Sequence, residues 1–229
     1  MSSSADAGPE AGGFPATLEI EYPDRELDRL TTFFRPIAFI PIGIVLALLS
    51  GPTSMGGPER GAADADPAVI LVFGSGGLLF LPTALMLIFR RKYPRWWFDW
   101  NLELTRFTYR CLAYLALLRD EYPSTDEEQA VYLDLWYPDV GTELNRWMPL
   151  VKWLLALPHY ILLGVLWLAA VLCVIAAWLA ILLTGRYPRG LFDFVSGVSR
   201  WTLRVWAYAF LLTTDRYPPF SLASEPGTA

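Results

Sequence analysis

Asp99, Glu103, Arg106, Arg110 and Tyr114 follow one another at spacings of 4, 3, 4 and 4 residues. On a helix these spacings set two carboxylates, two guanidiniums and a phenol along one stripe. Asp193, Arg200, Arg204 and Tyr208 repeat the stripe later in the chain, with Gly197 where Glu103 stands. Such a stripe suits three tasks: holding anionic headgroups, pairing with a partner's charges, or fixing how the helix packs, since ion-pair networks resemble functional sites. At its start stand Arg95, Trp96, Trp97, Phe98 and Trp100, and Arg189 occupies the later copy. Indole rings beside arginines suit the boundary between hydrocarbon and headgroups. The candidate lipid- or partner-binding residues are therefore Arg95, Arg106, Arg110, Arg189, Arg200, Arg204, Trp96, Trp97 and Trp100, with His159 added as an ionisable group in an apolar setting.

Residues for covalent or metal chemistry are sparse. His159 is the one histidine, it follows Pro158 at the edge of an apolar run, and no G-x-S-x-G accompanies it. Cys111 and Cys173 lie far apart in apolar contexts and read as buried free thiols. No Cys or carboxylate set stands at ligand spacing, so neither a metal nor another cofactor is expected. The run "FGSGG", Phe73 to Gly77, lacks the lysine and strand of a phosphate loop, and its glycines suit close helix packing. The chain therefore reads as a non-enzyme. Its net charge, 18 − 23 = −5, argues against a nucleic-acid partner.

The elements that carry these residues are strongly apolar. Hydrophobic residues make up 54% of the 229 and aromatics 15%, and the mean hydropathy is +0.35. Phe33 to Ser50, Ala68 to Phe89 and Leu150 to Thr184 are nearly free of charge, and runs of about 18 or more apolar residues read as membrane spans. Residues 1–17 are small and acidic with no secretory signal, and read as a disordered cytoplasmic tail.

The chain also repeats itself. "LEIEYPD" from Leu18 is echoed by "LDLWYPD" from Leu133, with Tyr22 matching Tyr137 at an offset of 137 − 22 = 115. "RRKYPRWWFDW" from Arg90 is echoed by "TGRYPRGLFDF" from Thr184, with Tyr93 matching Tyr187 at 187 − 93 = 94. Arg29 aligns with Arg146 and Pro41 with Pro158 between these blocks. This divides the chain into a tail (1–17), unit one (18–123), a linker (124–132), unit two (133–220) and a second tail (221–229).

Each unit reads as a short strand, an apolar segment, Tyr-Pro-Arg and an amphipathic helix. The strands alternate in polarity, and two lone strands best satisfy their backbones by pairing with each other. A two-stranded ribbon on the cytoplasmic side is expected. The apolar segments read as helical hairpins, because the Gly- and Pro-rich Ser50–Pro67 insertion in unit one belongs at a hairpin tip in water. The matching turn in unit two falls near Gly164. The rival reading breaks unit two at Pro158 and leaves His159 to Leu183 as one span. The amphipathic helices are expected at the membrane interface, or packed against each other through Asp99–Arg200 and Asp193–Arg106 pairs. Basic residues Arg90, Arg91, Lys92, Arg95, Arg186 and Arg189 put that flank, and both termini, in the cytoplasm.

The motifs Pro158-His159-Tyr160, Thr184-Gly185-Arg186-Tyr187-Pro188, Leu191-Phe192, Arg200-Trp201, Arg204, Ala207-Tyr208 and Asp215-Arg216-Tyr217-Pro218-Pro219-Phe220 resemble a bacterial membrane-protein family catalogued only as a domain of unknown function. Unit one lacks the Pro-His-Tyr motif and carries Arg91-Lys92 where Gly185-Arg186 stand. The resemblance implies a compact multi-span protein and no activity. The expectation is an all-α, multi-pass protein of the bacterial cytoplasmic membrane built from two tandem units. It would be a non-catalytic accessory or scaffold subunit, partnered by lipid and by other membrane subunits or its own copies. The alternative is a small oligomeric transporter or channel.

Overall fold

The computed structural model describes residues 13–23, 27–50, 76–124 and 129–224. Most of the two tails, the Ser50–Pro67 loop beyond Ser50, the start of the Ala68–Phe89 run with Phe73–Ser75, and linker residues 125–128 lie outside the described residues. The element order is β1 (Ala16–Ile20), α1 (Arg29–Ser50), α2 (Gly76–Leu85) continued by a π turn (Met86–Arg90), α3 (Arg95–Leu115), β2 (Val131–Leu135), α4 (Met148–Leu155), α5 (Leu157–Thr184) and α6 (Arg189–Ala209).

β1 and β2 form a two-stranded antiparallel ribbon in which Leu18 faces Leu133. These are the two residues matched by the sequence repeat, so the ribbon pairs each copy of the motif with the other. Glu21 N–H donates to Ala130 O and Trp136 N–H to Pro15 O. Hydrogen-bonded and non-hydrogen-bonded pairs alternate in such a ladder, so Leu18 and Leu133 turn their own carbonyls outward. Ala16, Leu18, Ile20, Val131, Leu133 and Leu135 are buried, whereas Glu19, Tyr132 and Asp134 are not. One ribbon face is core and the other is wet.

The core face rests on α3 and α6 in a crossed arrangement: β1 packs on α6 and β2 on α3. Each strand thus covers the helix of the opposite half, and one hydrophobic cluster runs through Leu18, Leu133, Phe98, Phe192, Leu118 and Leu212. Outside this layer, α5 packs on α6, α1 on α3, and α1 touches α5. The layers therefore run ribbon, α3 with α6, then α1 with α5.

Two expectations are corrected. Unit two has no hairpin turn at Gly164, which sits inside the continuous 28-residue α5. The helix instead breaks at Ala156, where a new first turn starts with Pro158 near its N-terminus, a position that needs no amide hydrogen. The rival reading with one long apolar helix fits. The amphipathic helix of unit two is not a surface helix either. Every residue of α6 from Val195 to Ala209 except Arg200 is buried, because its apolar side meets α5 and its polar side meets the ribbon.

Candidate functional site

The arginine stripe is used to hold the ribbon. Arg106 Nε donates to Leu133 O at 2.8 Å, and Arg200 Nε donates to Leu18 O at 3.0 Å. These are the outward carbonyls that a two-stranded ribbon leaves unpaired, and an unmet buried carbonyl costs about 1–3 kcal/mol. Burial lowers the Arg200 guanidinium from its ordinary value, while Glu19 and Asp193 oppose the shift. Arg106 pairs with Glu103 at 2.6 Å and with Asp134 at 2.5 Å, in place of the expected pairing with Asp193. Further along, Arg110 donates to Ser124 O at 2.9 Å and the buried Arg204 donates to Ser221 O at 3.2 Å. Arg200 and Arg204 line a small cavity of about 130 Å³ beside β1.

The Tyr-Pro corners are a second set of crossed contacts. The Tyr22 hydroxyl donates to Tyr187 O, and the Tyr137 hydroxyl donates to Tyr93 O. Arg189 lies 4.8 Å over the Tyr22 ring and Arg95 lies 5.0 Å over the Tyr137 ring. Phe192 meets Tyr22 edge-on at 5.0 Å, and Phe98 meets Tyr137 at 5.2 Å. Burial raises the Tyr93 and Tyr187 phenols well above their ordinary range, so both stay neutral donors. Of the tryptophans, Trp96 and Trp100 are exposed, while half-buried Trp97 donates to Thr83 Oγ1 at 2.8 Å. Phe98 is buried and belongs to the core.

The structure brings out a pair of buried cations, of which sequence reasoning passed over Arg35. Lys152 is fully buried, bonds Asp215 at 2.7 Å, donates to Thr214 O at 2.7 Å and sits 5.3 Å from the Tyr208 ring. Burial lowers its ammonium from the usual lysine range and Asp215 works against that shift. Arg35 makes matching contacts in the first half. It pairs with Asp120, donates to Tyr114 O and Arg119 O, and lies 4.7 Å from the Tyr114 ring. The signal was available: 152 − 35 = 117 is the offset that also joins Arg29 to Arg146 and Pro41 to Pro158.

His159 is buried among rings, stacked on Phe220 at 4.0 Å and edge-on to Trp201 at 5.7 Å. Trp201 Nε1–H donates to its Nδ1 at 3.1 Å. An indole only donates, so Nδ1 carries a lone pair and any ring proton sits on Nε2, which has no partner among the described residues. Cys111 is fully buried, and that burial pushes its thiol up to about 12; Cys173 is half-buried.

The residues that α1 and α5 leave facing outward are mostly apolar. α5 exposes Ile161, Val165, Leu168, Leu172, Ile175, Leu179 and Leu183, and α1 exposes Leu30, Phe33, Phe34, Ile37, Ile40 and Ile44. Both helices are long and apolar enough to cross a membrane. Full burial of such a side chain is worth about 1.5–3 kcal/mol. Discounted by about half for partial exposure, the seven on α5 alone represent about 5–10 kcal/mol, comparable to the whole stability of a domain.

Residues 146–221 match the model of a family described as a domain of unknown function, DUF4389. The match takes in α4, α5 and α6 with Lys152, His159, Arg200, Arg204 and Asp215. No curated protein and no solved structure matches the chain.

Proposed function

We propose that the chain is a membrane-embedded, non-catalytic accessory or scaffold subunit of the bacterial cytoplasmic membrane, made of two copies of one module. The single observation that carries this reading is the outer layer: α1 and α5 turn a wide, uncharged apolar surface away from a core that is already closed. Lipid is the cover that asks for no directional contact. The duplication is supported by the crossed contacts, in which residues matched by sequence make matched bonds.

The layer order bears on how the helices lie. Arg200, midway along α6, holds the ribbon, and α6 packs along α5. Stood upright across the bilayer, α5 would bring the exposed carboxylates Glu19 and Asp134 toward mid-depth, at a cost of several kcal/mol. α1 and α5 therefore lie lengthwise in one leaflet, with the ribbon toward the water. Spin labels at Val165, Leu172 and Leu179, introduced as single cysteines in a chain lacking Cys111 and Cys173, test this in lipid nanodiscs. Equal depths at all three support the lengthwise placement, and a depth maximum at the central site supports a crossing helix. Labels that report water at every site defeat the membrane reading altogether.

A transport path would need ionisable groups within the apolar segments, and Lys152 and His159 are candidates among the described residues. One is now paired with Asp215 and the other packed among rings, so both fit a structural role better.

A further inference from the structure

The left-handed turn that ends the π segment holds an unexpected residue. Gly185 takes φ 75° after α5, and the matched position after the π turn takes φ 48° and ψ 41° with Arg91. Glycine adopts this backbone freely and arginine does not. A strained non-glycine residue of this kind is the sort of outlier from which function is inferred. Arg91 is exposed and forms no ion pair or hydrogen bond among the described residues.

Arg91 lines a cavity of about 450 Å³ between the π turn and the 140–147 loop, shared with Leu87, Thr142, Arg146, Trp147 and Asp215. Arg146 spends its Nε on Ile88 O at 2.6 Å, and its guanidinium lies 5.6 Å from the Trp147 ring. The donor bond fixes the guanidinium while its η nitrogens keep their hydrogens for another acceptor. The carboxylates in the wall are already engaged. Asp215 pairs with Lys152 and accepts from Asn145 N at 2.6 Å, and Glu143 accepts from Asp139 N at 3.1 Å. With Asp215 matched by Lys152, the cavity holds two guanidiniums against the single carboxylate of Glu143, a net positive charge. Beside it, Phe89 is 72% exposed, Trp147 62% and Leu150 54%. An ionic hole with an apolar rim fits a molecule that is charged at one end and greasy at the other.

We propose that this cavity binds the phosphate of an anionic phospholipid between Arg91 and Arg146, with the acyl chains laid over Phe89, Trp147 and Leu150. The inference rests on the membrane reading above and adds the lipid class and the place. Guanidiniums suit a phosphate because their planar fork matches its oxygens.

The test uses the full chain in mild detergent, following its thermal unfolding midpoint as phosphatidylglycerol or phosphatidylcholine is titrated in. Phosphatidylglycerol is expected to raise the midpoint saturably and phosphatidylcholine to leave it. Arg91→Gly removes one charge-assisted contact, which should weaken the phosphatidylglycerol response about tenfold. It also relieves the left-handed backbone, so the lipid-free midpoint should hold or rise. Lys92→Gln, which removes a neighbouring charge that does not line the cavity, should keep the wild-type response. Equal stabilisation by both lipids overturns the proposal, as does an unchanged response in Arg91→Gly. So does a midpoint rise of the same size from inorganic phosphate or glycerol phosphate, which would mark a site for free phosphate. The membrane reading stands or falls on the depth of the α5 labels, so its failure is distinguishable from that of the lipid site.

Discussion

The two halves of the molecule make the same contacts with different residues at a few places, and those places differ in kind. Where the residues agree, the geometry agrees: Arg106 and Arg200 each hold a strand carbonyl of the opposite half, and Tyr22 and Tyr137 each reach a carbonyl before a proline of the opposite half. Where they differ, the role is kept or a new one appears. Arg35 and Lys152 keep one role with unlike head groups. Ile42 and His159, at offset 117, fill matching pockets against Phe107 and Trp201, the first apolar and the second hydrogen-bonded. Arg91 and Gly185 share a backbone shape that only glycine adopts without strain. A frame made of reciprocal bonds constrains both halves together, because a change on one side is met by an unchanged partner on the other. Residues outside those bonds are free to diverge.

The largest effect is expected at the buried cations. Lys152→Met leaves Asp215 without its charge partner, and breaking a buried pair costs about 3–5 kcal/mol. Adding Asp215→Asn should return part of that loss, since it removes the stranded charge. Denaturant unfolding of the single and double variants in detergent measures both. If the double variant is no more stable than the single one, the pair is not the reason for burying the lysine. Arg35→Met, judged by the same contacts, should cost a similar amount.

The ribbon arginines come next. Arg106→Ala and Arg200→Ala each orphan one outward strand carbonyl and should each cost about 1–3 kcal/mol. The two changes share one ribbon, so the double variant should cost less than their sum. Strict additivity in a double-mutant cycle would mean that the strands are held independently, against the crossed packing.

The ribbon itself was legible in the sequence, because alternating polarity repeated at one offset leaves two strands with matched faces and nothing else to pair with. The helical class and the Tyr-Pro corners were legible for similar reasons. The partners of the arginine stripe were not: they are backbone carbonyls, which every residue carries and no motif marks. Arg35 was hidden by its neighbours, since Phe33, Phe34, Pro36 and Ile37 read as one apolar run. The continuity of α5 was held only by the rival reading, because the unit-one insertion suggested a matching turn in unit two, where no Gly-Pro cluster breaks the helix. The burial of α6 depends on a ribbon strand contributed from the other half, and no pattern local to α6 encodes that.

The pocket around His159 gives a smaller effect. Trp201→Phe removes the indole hydrogen from His159 Nδ1 and strands that nitrogen, for about 1 kcal/mol. Adding His159→Ile supplies the residue pair of the first half, Ile42 with Phe107, and should recover most of the loss even though the stack on Phe220 goes. Recovery is read from the same unfolding curves. A double variant that is less stable than Trp201→Phe would show the ring stack on Phe220 to outweigh the hydrogen bond.

The smallest effect separates backbone from side chain at the left-handed turns. Gly185 N–H donates to Ile181 O at 2.7 Å and Gly185 O accepts from Leu27 N–H at 2.9 Å, so the turn is fixed at both ends and cannot relax away from φ 75°. Gly185→Ala should therefore cost about 1 kcal/mol, the ordinary penalty for a side chain in this region. Arg91→Gly is the mirror experiment and should be neutral or gain up to about 1 kcal/mol by the same argument. Opposite signs for the two changes would show that the first half tolerates strain at Arg91 for the sake of its side chain. If Arg91→Gly instead destabilises the lipid-free protein, the guanidinium earns its place within the fold, and the strain needs no ligand to account for it.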